Sequence, residues 1–419
     1  STGISVFAPS IILSSLFGWN IYYTNILMGG LLIIYTMSGG AKAVAYTQQL
    51  QLIIIFTGMF LAAYMVVNML PDNVSFTDAL EVSGKMGKLN VITTGFENGK
   101  FNWSDQYNLF SGLIGGFFLA LSYFGTDQSQ VGRYLTAKSL KQSRMGLLMN
   151  GFVKIPMQFG ILLIGVLVFS FYQFNKAPIF FNDVQLKKLE SSVYKDSLAI
   201  ATTQYEAITE LKQKAVVDYS AASDLNDKVA KAASMNILEG LQKQSDSLRK
   251  SVKGWLASKE VGGDNNDTNY IFLRFVVDNL PVGLVGLLIA IIFLASWGSI
   301  AAAINSLASC TMIDFHRRFT KKQETGEQEY KLSKKYTLAW GIFCIIVAMF
   351  TYNVGNSLIE AVNVLGSLFY GVILGVFLVA FMFKNIKSGH VVFWGAVLAE
   401  VLVLTVFILT KVGVFKMGF

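Results

Sequence analysis

Apolar runs long enough to cross a bilayer recur nine times in this chain, at about 4–19, 21–37, 47–69, 107–127, 146–173, 275–312, 335–354, 358–383 and 390–411. An α-helix rises 1.5 Å per residue, so roughly 20 residues cover the ~30 Å of hydrocarbon. With 53% of residues apolar and only 14% charged, the pattern reads as an all-α polytopic membrane protein. A β-barrel would show short alternating segments instead.

The net charge of +8 does not mark a nucleic-acid partner. The segment 174–268 holds 13 basic and 13 acidic residues and is neutral. The excess sits in alternate short loops: Lys42; Arg133, Lys138, Lys141 and Arg144; the stretch from Arg317 to Lys335; Lys384 and Lys387. The loop 70–106 carries only Lys85, Lys88 and Lys100 against five acids. Positive residues collect on the cytoplasmic side. This orients loops 38–46, 128–145, 313–334 and 384–389 inward, and 70–106 and 174–268 outward.

The domain reading follows: membrane helices in 1–173, an outer soluble insertion in 174–268, and membrane helices again in 269–419. Within the insertion, Leu186, Leu189 and Val193, then Leu238, Leu241, Leu248, Val252 and Trp255, recur at helical spacing. That predicts an α-helical hairpin with its turn near 219–224. Three N-x-S/T triplets, at Asn73, Asn102 and Asn266, all fall in loops assigned outside. Cys310 and Cys344 lie in or beside apolar spans and read as packed free thiols. Two cysteines and two histidines give no disulfide framework and no metal site. The absence of a nucleophile–base set argues against an enzyme. The chain opens on Ser1, close to an apolar segment, which reads as a start partway into a longer protein.

The block LALSYFGTDQSQVGRYLTAKS (119–139) ends an apolar run with dense donors and acceptors. Polar groups near hydrocarbon cost several kcal/mol each unless satisfied, roughly 2 to 7 by transfer estimates. Such a block therefore points to a water-filled path or binding site. In 275–312, Ala295, Ser299, Ala302, Ser306 and Ser309 form a small stripe that lets helices approach closely. A hydroxyl there, such as Ser299, can also ligate a hard cation.

These residues resemble a family. YTMSGGAKAVAYTQQLQ (35–51), SYFGTDQSQVGRYLTAKS (122–139), GFVKIP (151–156) and ASWGSIAAAINSLASCTMIDF (295–315) follow the order and spacing of the sodium:solute symporters, relatives of the sodium/glucose cotransporters. GSLFYGVILGVFL (366–378) is similar to the family's tenth core helix. The resemblance implies the LeuT-type fold, two inverted five-helix repeats with sites near the bilayer midplane. By that resemblance the nine spans are core helices three to eleven. The first two would precede Ser1, and without them the chain should not transport.

The resemblance also assigns roles. Tyr123 matches the aromatic that closes the inner side of the substrate pocket. Lys154 matches a pocket lysine on the seventh core helix, with snorkelling to the cytoplasmic face as the alternative. Asn363 stands where sugar-transporting members have a substrate-binding glutamine. Asp127, Gln128 and Arg133 would form a gate network. For sodium, the eighth core helix would supply the Ala295 carbonyl and the Ser299 hydroxyl. A second hydroxyl usual in the family is replaced by Gly298. A second sodium site would need an acid where Gln48 stands, and serines where Ala301 and Ala302 stand. Its loss is expected. Glu360 and Glu400 have no role beyond a partner for Lys154.

The resulting expectation is a multi-pass protein of the plasma membrane, read as a bacterial inner membrane. It would carry a small polar solute with sodium by alternating access, with no other cofactor. A sodium-independent or proton-coupled carrier of the same fold is the alternative within transport. A transporter-like sensor is the alternative from another class.

Overall fold

The computed structural model describes residues 2–414, apart from 72–73, 91–92, 98, 104, 106–107, 136, 226, 321–324, 352–357 and 387; at 39–49, 351 and 358–361 it describes the backbone alone. The architecture is helical. Its elements are α1 (Thr2–Phe17), α2 (Ile21–Asn68), α3 (Phe76–Lys85), α4 (Gly116–Thr126), α5 (Gln128–Leu135), α6 (Leu140–Phe174), α7 (Asp183–Glu190), α8 (Lys195–Asp224) and α9 (Lys228–Leu256). They continue with α10 (Ile271–Asn279), α11 (Val282–Cys310), α12 (Arg317–Phe319), α13 (Gly326–Thr351), α14 (Leu358–Met382) and α15 (Gly389–Lys411). A two-residue hairpin pairs β1 (Phe96–Glu97) with β2 (Lys100–Phe101).

Among the described residues, seven helical segments are long and apolar enough to cross a bilayer, and two shorter apolar helices, Thr2–Phe17 and Ser111–Thr126, accompany them. These nine segments correspond to the nine runs read from the sequence.

One expected break is not a loop. Helical backbone runs through 38–46 within α2, because Ala41, Ala43 and Ala45 beside Lys42 and Gln48 favour helix and no proline interrupts them. The path nevertheless turns. Tyr35 and Gly58 would lie roughly 35 Å apart on a straight rod. Yet Tyr35 packs on Trp297 of α11, ring centres 6.1 Å apart, and Gly58 packs on Leu288 and Ile291 of the same helix. Both halves of α2 therefore lie against one short stretch of α11.

The main core joins α1, α2, α6, α10, α11 and α13 through buried Val6, Leu32, Val66, Leu167, Phe275, Ile300, Ile304 and Ala348. Glycine makes the closest approaches. A Cβ on Gly29 would stand 2.2 Å from Ile345, and one on Gly341 would stand 2.4 Å from Ile33, so α2 and α13 meet through paired absent side chains.

Within 174–268, α8 packs against α9, and α7 precedes them. The turn between α8 and α9 comes later than 219–224. Ala221 and Ala222 carry α8 on to Asp224, and Asp227 caps α9 by accepting from the Val229 and Ala230 amides. Tyr219, expected in the turn, is instead a buried core residue. The hairpin is fastened to the loop after α2 and to α3: Leu70, Val74, Ala79 and Val82 share one apolar cluster with Val216, Tyr219, Met235 and Leu238. Lys231 of α9 pairs with Glu81 of α3 at 2.7 Å. Buried Asp267 anchors the return to the membrane, accepting from Arg249 at 2.5 Å and pairing with Lys253 at 3.1 Å. Arg274 of α10 bridges Asp183 and Asp278.

Candidate functional site

The polar block folds as two helices at an angle. Apolar Phe117–Leu121 keeps α4 in register until Asp127, whose extended backbone (φ −71°, ψ 116°) ends the helix. Asp127 then starts the next one. Its Oδ1 accepts from the Ser129 amide at 2.8 Å and the Ser129 hydroxyl at 2.5 Å, and its carbonyl accepts from the Gln130 and Val131 amides. A carboxylate there also complements the positive end of α5. On α5, Gln130 Nε2 donates to the Tyr123 hydroxyl at 2.5 Å.

Facing this corner is α6, entered through the Ser139 cap and carrying Pro156, which removes one backbone donor from its interior. Lys154 lies half a turn before the proline. Its Nζ stands 5.6 Å from the Tyr123 ring centre and 5.3 Å from that of Phe124, both within cation–π range. No ion pair joins Lys154 to Glu400 among the described residues. Glu400 lies on α15, and one of its buried oxygens has no hydrogen-bond partner among the described residues. The Glu360 side chain lies outside the described residues.

A cavity of about 1060 Å³ gathers these groups. Tyr123, Asp127, Gln128, Arg133, Lys154 and Ser299 all line it. Six of the eight residues singled out from the sequence therefore share one space, although they come from four helices. Asn363 does not join them. It is exposed on α14, and the wall at that level is Val362, one residue earlier and about 100° round the helix. Ala295 is half-buried, one helical turn before Ser299, and is not part of the lining.

On α11 the small stripe serves the cavity as much as packing. Ser299 and Ser306 line the space, together with Ala303 and Cys310. The fully buried face is instead Ile300, Ala301, Ile304 and Ala308. Ser306 donates to the Ala302 carbonyl at 2.9 Å, whereas Ser299 is exposed to the cavity. Thr2 and Ser5 of α1 line the same space. Hydroxyls and carbonyls of this kind are the oxygen donors a hard monovalent cation requires. Gly298 is buried and presents no side-chain oxygen, Ala301 is fully buried, and the Gln48 side chain lies outside the described residues.

Among the lining residues without a role in the sequence reading, Tyr370 makes the most specific contacts. Tyr370 of α14 donates its hydroxyl to Asp127 Oδ2 at 2.9 Å, and its ring lies 6.2 Å from that of Tyr123. Its backbone carbonyl accepts from the buried Ser122 hydroxyl at 2.8 Å. The signal was a phenol within the apolar run GSLFYGVILGVFL, where a hydroxyl needs a partner.

The model of the sodium:solute symporter family matches residues 3–190 and 250–399. The chain belongs to that family. The match omits most of α8 and α9. A sodium-dependent multivitamin transporter of Oryctolagus cuniculus is 23% identical over 91% of this chain and 46% of its own length. A sodium/sialic acid symporter, SiaT, of Proteus mirabilis (strain HI4320) is 32% identical over 30% of this chain and 26% of its own length. The chain thus spans about half the length of the first of these curated relatives. Among solved structures, a substrate-bound, outward-open Na+-coupled sialic acid symporter superposes with a TM-score of 0.59 at 20% identity, covering 91% of this chain and 60% of that one. That likeness establishes the LeuT-type fold.

Proposed function

We propose that this chain forms the solute- and sodium-handling part of a secondary active symporter, which takes up a small polar organic solute with sodium by alternating access. The observation that carries the reading is the shared cavity. It holds a lysine stacked on a gate-type tyrosine, and an exposed hydroxyl, Ser299, on the α11 wall.

Lys154 favours a solute with a carboxylate or several hydroxyls. Asp127 lines the same space, but among the described residues no ion pair joins it to Lys154; its Oδ1 accepts from Ser129 and its Oδ2 from Tyr370. The sialic acid carried by relatives, a hydroxylated carboxylic acid, has this chemistry. Tyr123 closes one side of the solute position, and Asp127, Gln128 and Arg133 hold α5 against it. Sodium binds at Ser299, with the Ala295 carbonyl and cavity water or neighbouring oxygens completing its shell. Asn363 is exposed away from this space and is left out of the proposed pocket.

The positive-inside bias sets α5 on the cytoplasmic side and the α8–α9 hairpin outside, in the plasma membrane. One monovalent ion moving down 100 mV supplies roughly 2.3 kcal/mol from the potential alone, sufficient to concentrate a solute. The test is uptake of candidate hydroxylated acids by the full-length protein in proteoliposomes, with and without a sodium gradient. Uptake should require the gradient and fall on Ser299→Ala.

A further inference from the structure

Tyr370 ties α14 to the corner between α4 and α5 through two hydrogen bonds of different kinds. Its hydroxyl donates to Asp127 Oδ2, and its own carbonyl accepts from Ser122 Oγ. Both partners are more than 240 residues away in the chain. Neither bond is required by the helices themselves. The Tyr370 carbonyl lies inside α14, and Asp127 already caps α5 with its other oxygen.

The chain of contacts continues. Asp127 fixes the first turn of α5, α5 carries Gln130, and Gln130 Nε2 holds the Tyr123 hydroxyl at 2.5 Å. Shifting α14 relative to α4 must therefore break the Tyr370–Asp127 bond or drag the α5 cap with it. In either case the donor that holds the Tyr123 phenol moves.

We infer that Tyr370 is a positioning residue, through which the placement of α14 sets the orientation of Tyr123 by way of Asp127 and Gln130. This rests on the reading of Tyr123 as a gate. The bond is made by a hydroxyl alone, so Tyr370→Phe removes the tie while keeping the ring against Tyr123 and the Ser122 bond. Gln130→Leu cuts the same path at its last link.

The molecule carries its own reporter. Cys310 lines the cavity and is half-buried, whereas Cys344 is 3% exposed. The full-length protein, with Cys310 as the sole remaining cysteine, is treated in membrane vesicles with a membrane-impermeant thiol reagent from the face that bears α5. Neither sodium nor solute is present, so the result does not depend on the coupling ion.

Tyr370→Phe should raise the labelling rate of Cys310 about threefold or more, and Gln130→Leu should do the same. Because both act on one path, the double variant should label no faster than the faster single variant. Asp127→Asn, which keeps one acceptor oxygen for two duties, should fall between the parent and Tyr370→Phe. An unchanged rate in Tyr370→Phe overturns the assignment, as do independent, multiplying effects in the double variant. If labelling responds as expected but uptake proves independent of sodium, the tie stands and the sodium reading fails.

Discussion

The Lys154 ammonium and the Tyr123 ring stack 5.6 Å apart across the angle between α6 and α4. A cation over an aromatic face is held by about 0.5–2 kcal/mol, enough to aim the ammonium without neutralising it. Lys154→Met should raise the KM for solute about tenfold to a hundredfold, since a charge-assisted hydrogen bond contributes roughly 1.5–3 kcal/mol. Lys154→Arg should recover part of that loss. Initial-rate uptake at saturating sodium measures both. A KM unchanged in Lys154→Met would remove this residue from the pocket.

Ser299 makes a separate claim about the ion. Losing one oxygen ligand of a weakly held cation costs on the order of 1.4 kcal/mol, a factor of ten in affinity. Ser299→Ala should raise the sodium concentration for half-maximal uptake about tenfold, with the solute KM at saturating sodium little changed. Ser306→Ala is the control. Ser306 lies seven residues further along α11, roughly 10 Å by helix rise, too far to share one ion with Ser299, so its loss should leave the sodium response unaltered.

How much of this was legible in the sequence depends on the kind of force involved. The nine apolar segments were readable because hydrocarbon selects for composition alone. The convergence of Tyr123, Lys154 and Ser299 was readable through the family resemblance, which carries tertiary information that periodicity lacks. Local reading failed where competing tendencies are close. At 38–46 a basic, glycine-bearing stretch reads as a loop, but its alanines sustain helix. The resemblance points to Asn363, whereas Val362, one residue earlier on α14, is at the wall. Tyr370 was hidden inside an apolar run, since its partner Asp127 lies 243 residues away. The small helix α3 carries its own signal in the sequence. Ser75 and Asp78 form a reciprocal capping box at its start.

The hairpin carries a charge under stress. Lys212 of α8 is 7% exposed and donates to Gln242 Oε1 at 2.6 Å; burial pushes its ammonium down to about 8. The unfolded chain, with a value near 10.5, binds more protons than the folded one between those limits, so stability must rise as pH climbs from about 8 to 10.5. Hydrogen exchange of the α8 amides should slow over that window relative to the intrinsic rate. Lys212→Met should flatten the dependence. An identical pH profile in that variant would contradict the assignment.

At the other end of the hairpin the sign is reversed. The hydrogen bond and charge of Lys231 hold the Glu81 carboxyl below its ordinary value, against an opposing push from burial. The docking it provides is full above pH 4.5 and is lost as pH falls through the lowered folded value. Glu81→Gln should therefore loosen the α8–α9 hairpin from α3 at neutral pH by a modest amount, since the pair is partly exposed. Limited proteolysis near 225–227 should quicken in the variant at pH 7. The difference from the parent should shrink as pH falls through the lowered value of Glu81.

The most direct measurement is initial-rate solute uptake by the full-length protein in proteoliposomes, under an inward sodium gradient and under a matched potassium gradient. A sodium-coupled symporter built on this cavity accumulates solute only in the first condition, and Ser299→Ala shifts the sodium dependence to higher concentration. Equal uptake in both conditions, with Ser299→Ala indistinguishable from the parent, would contradict it.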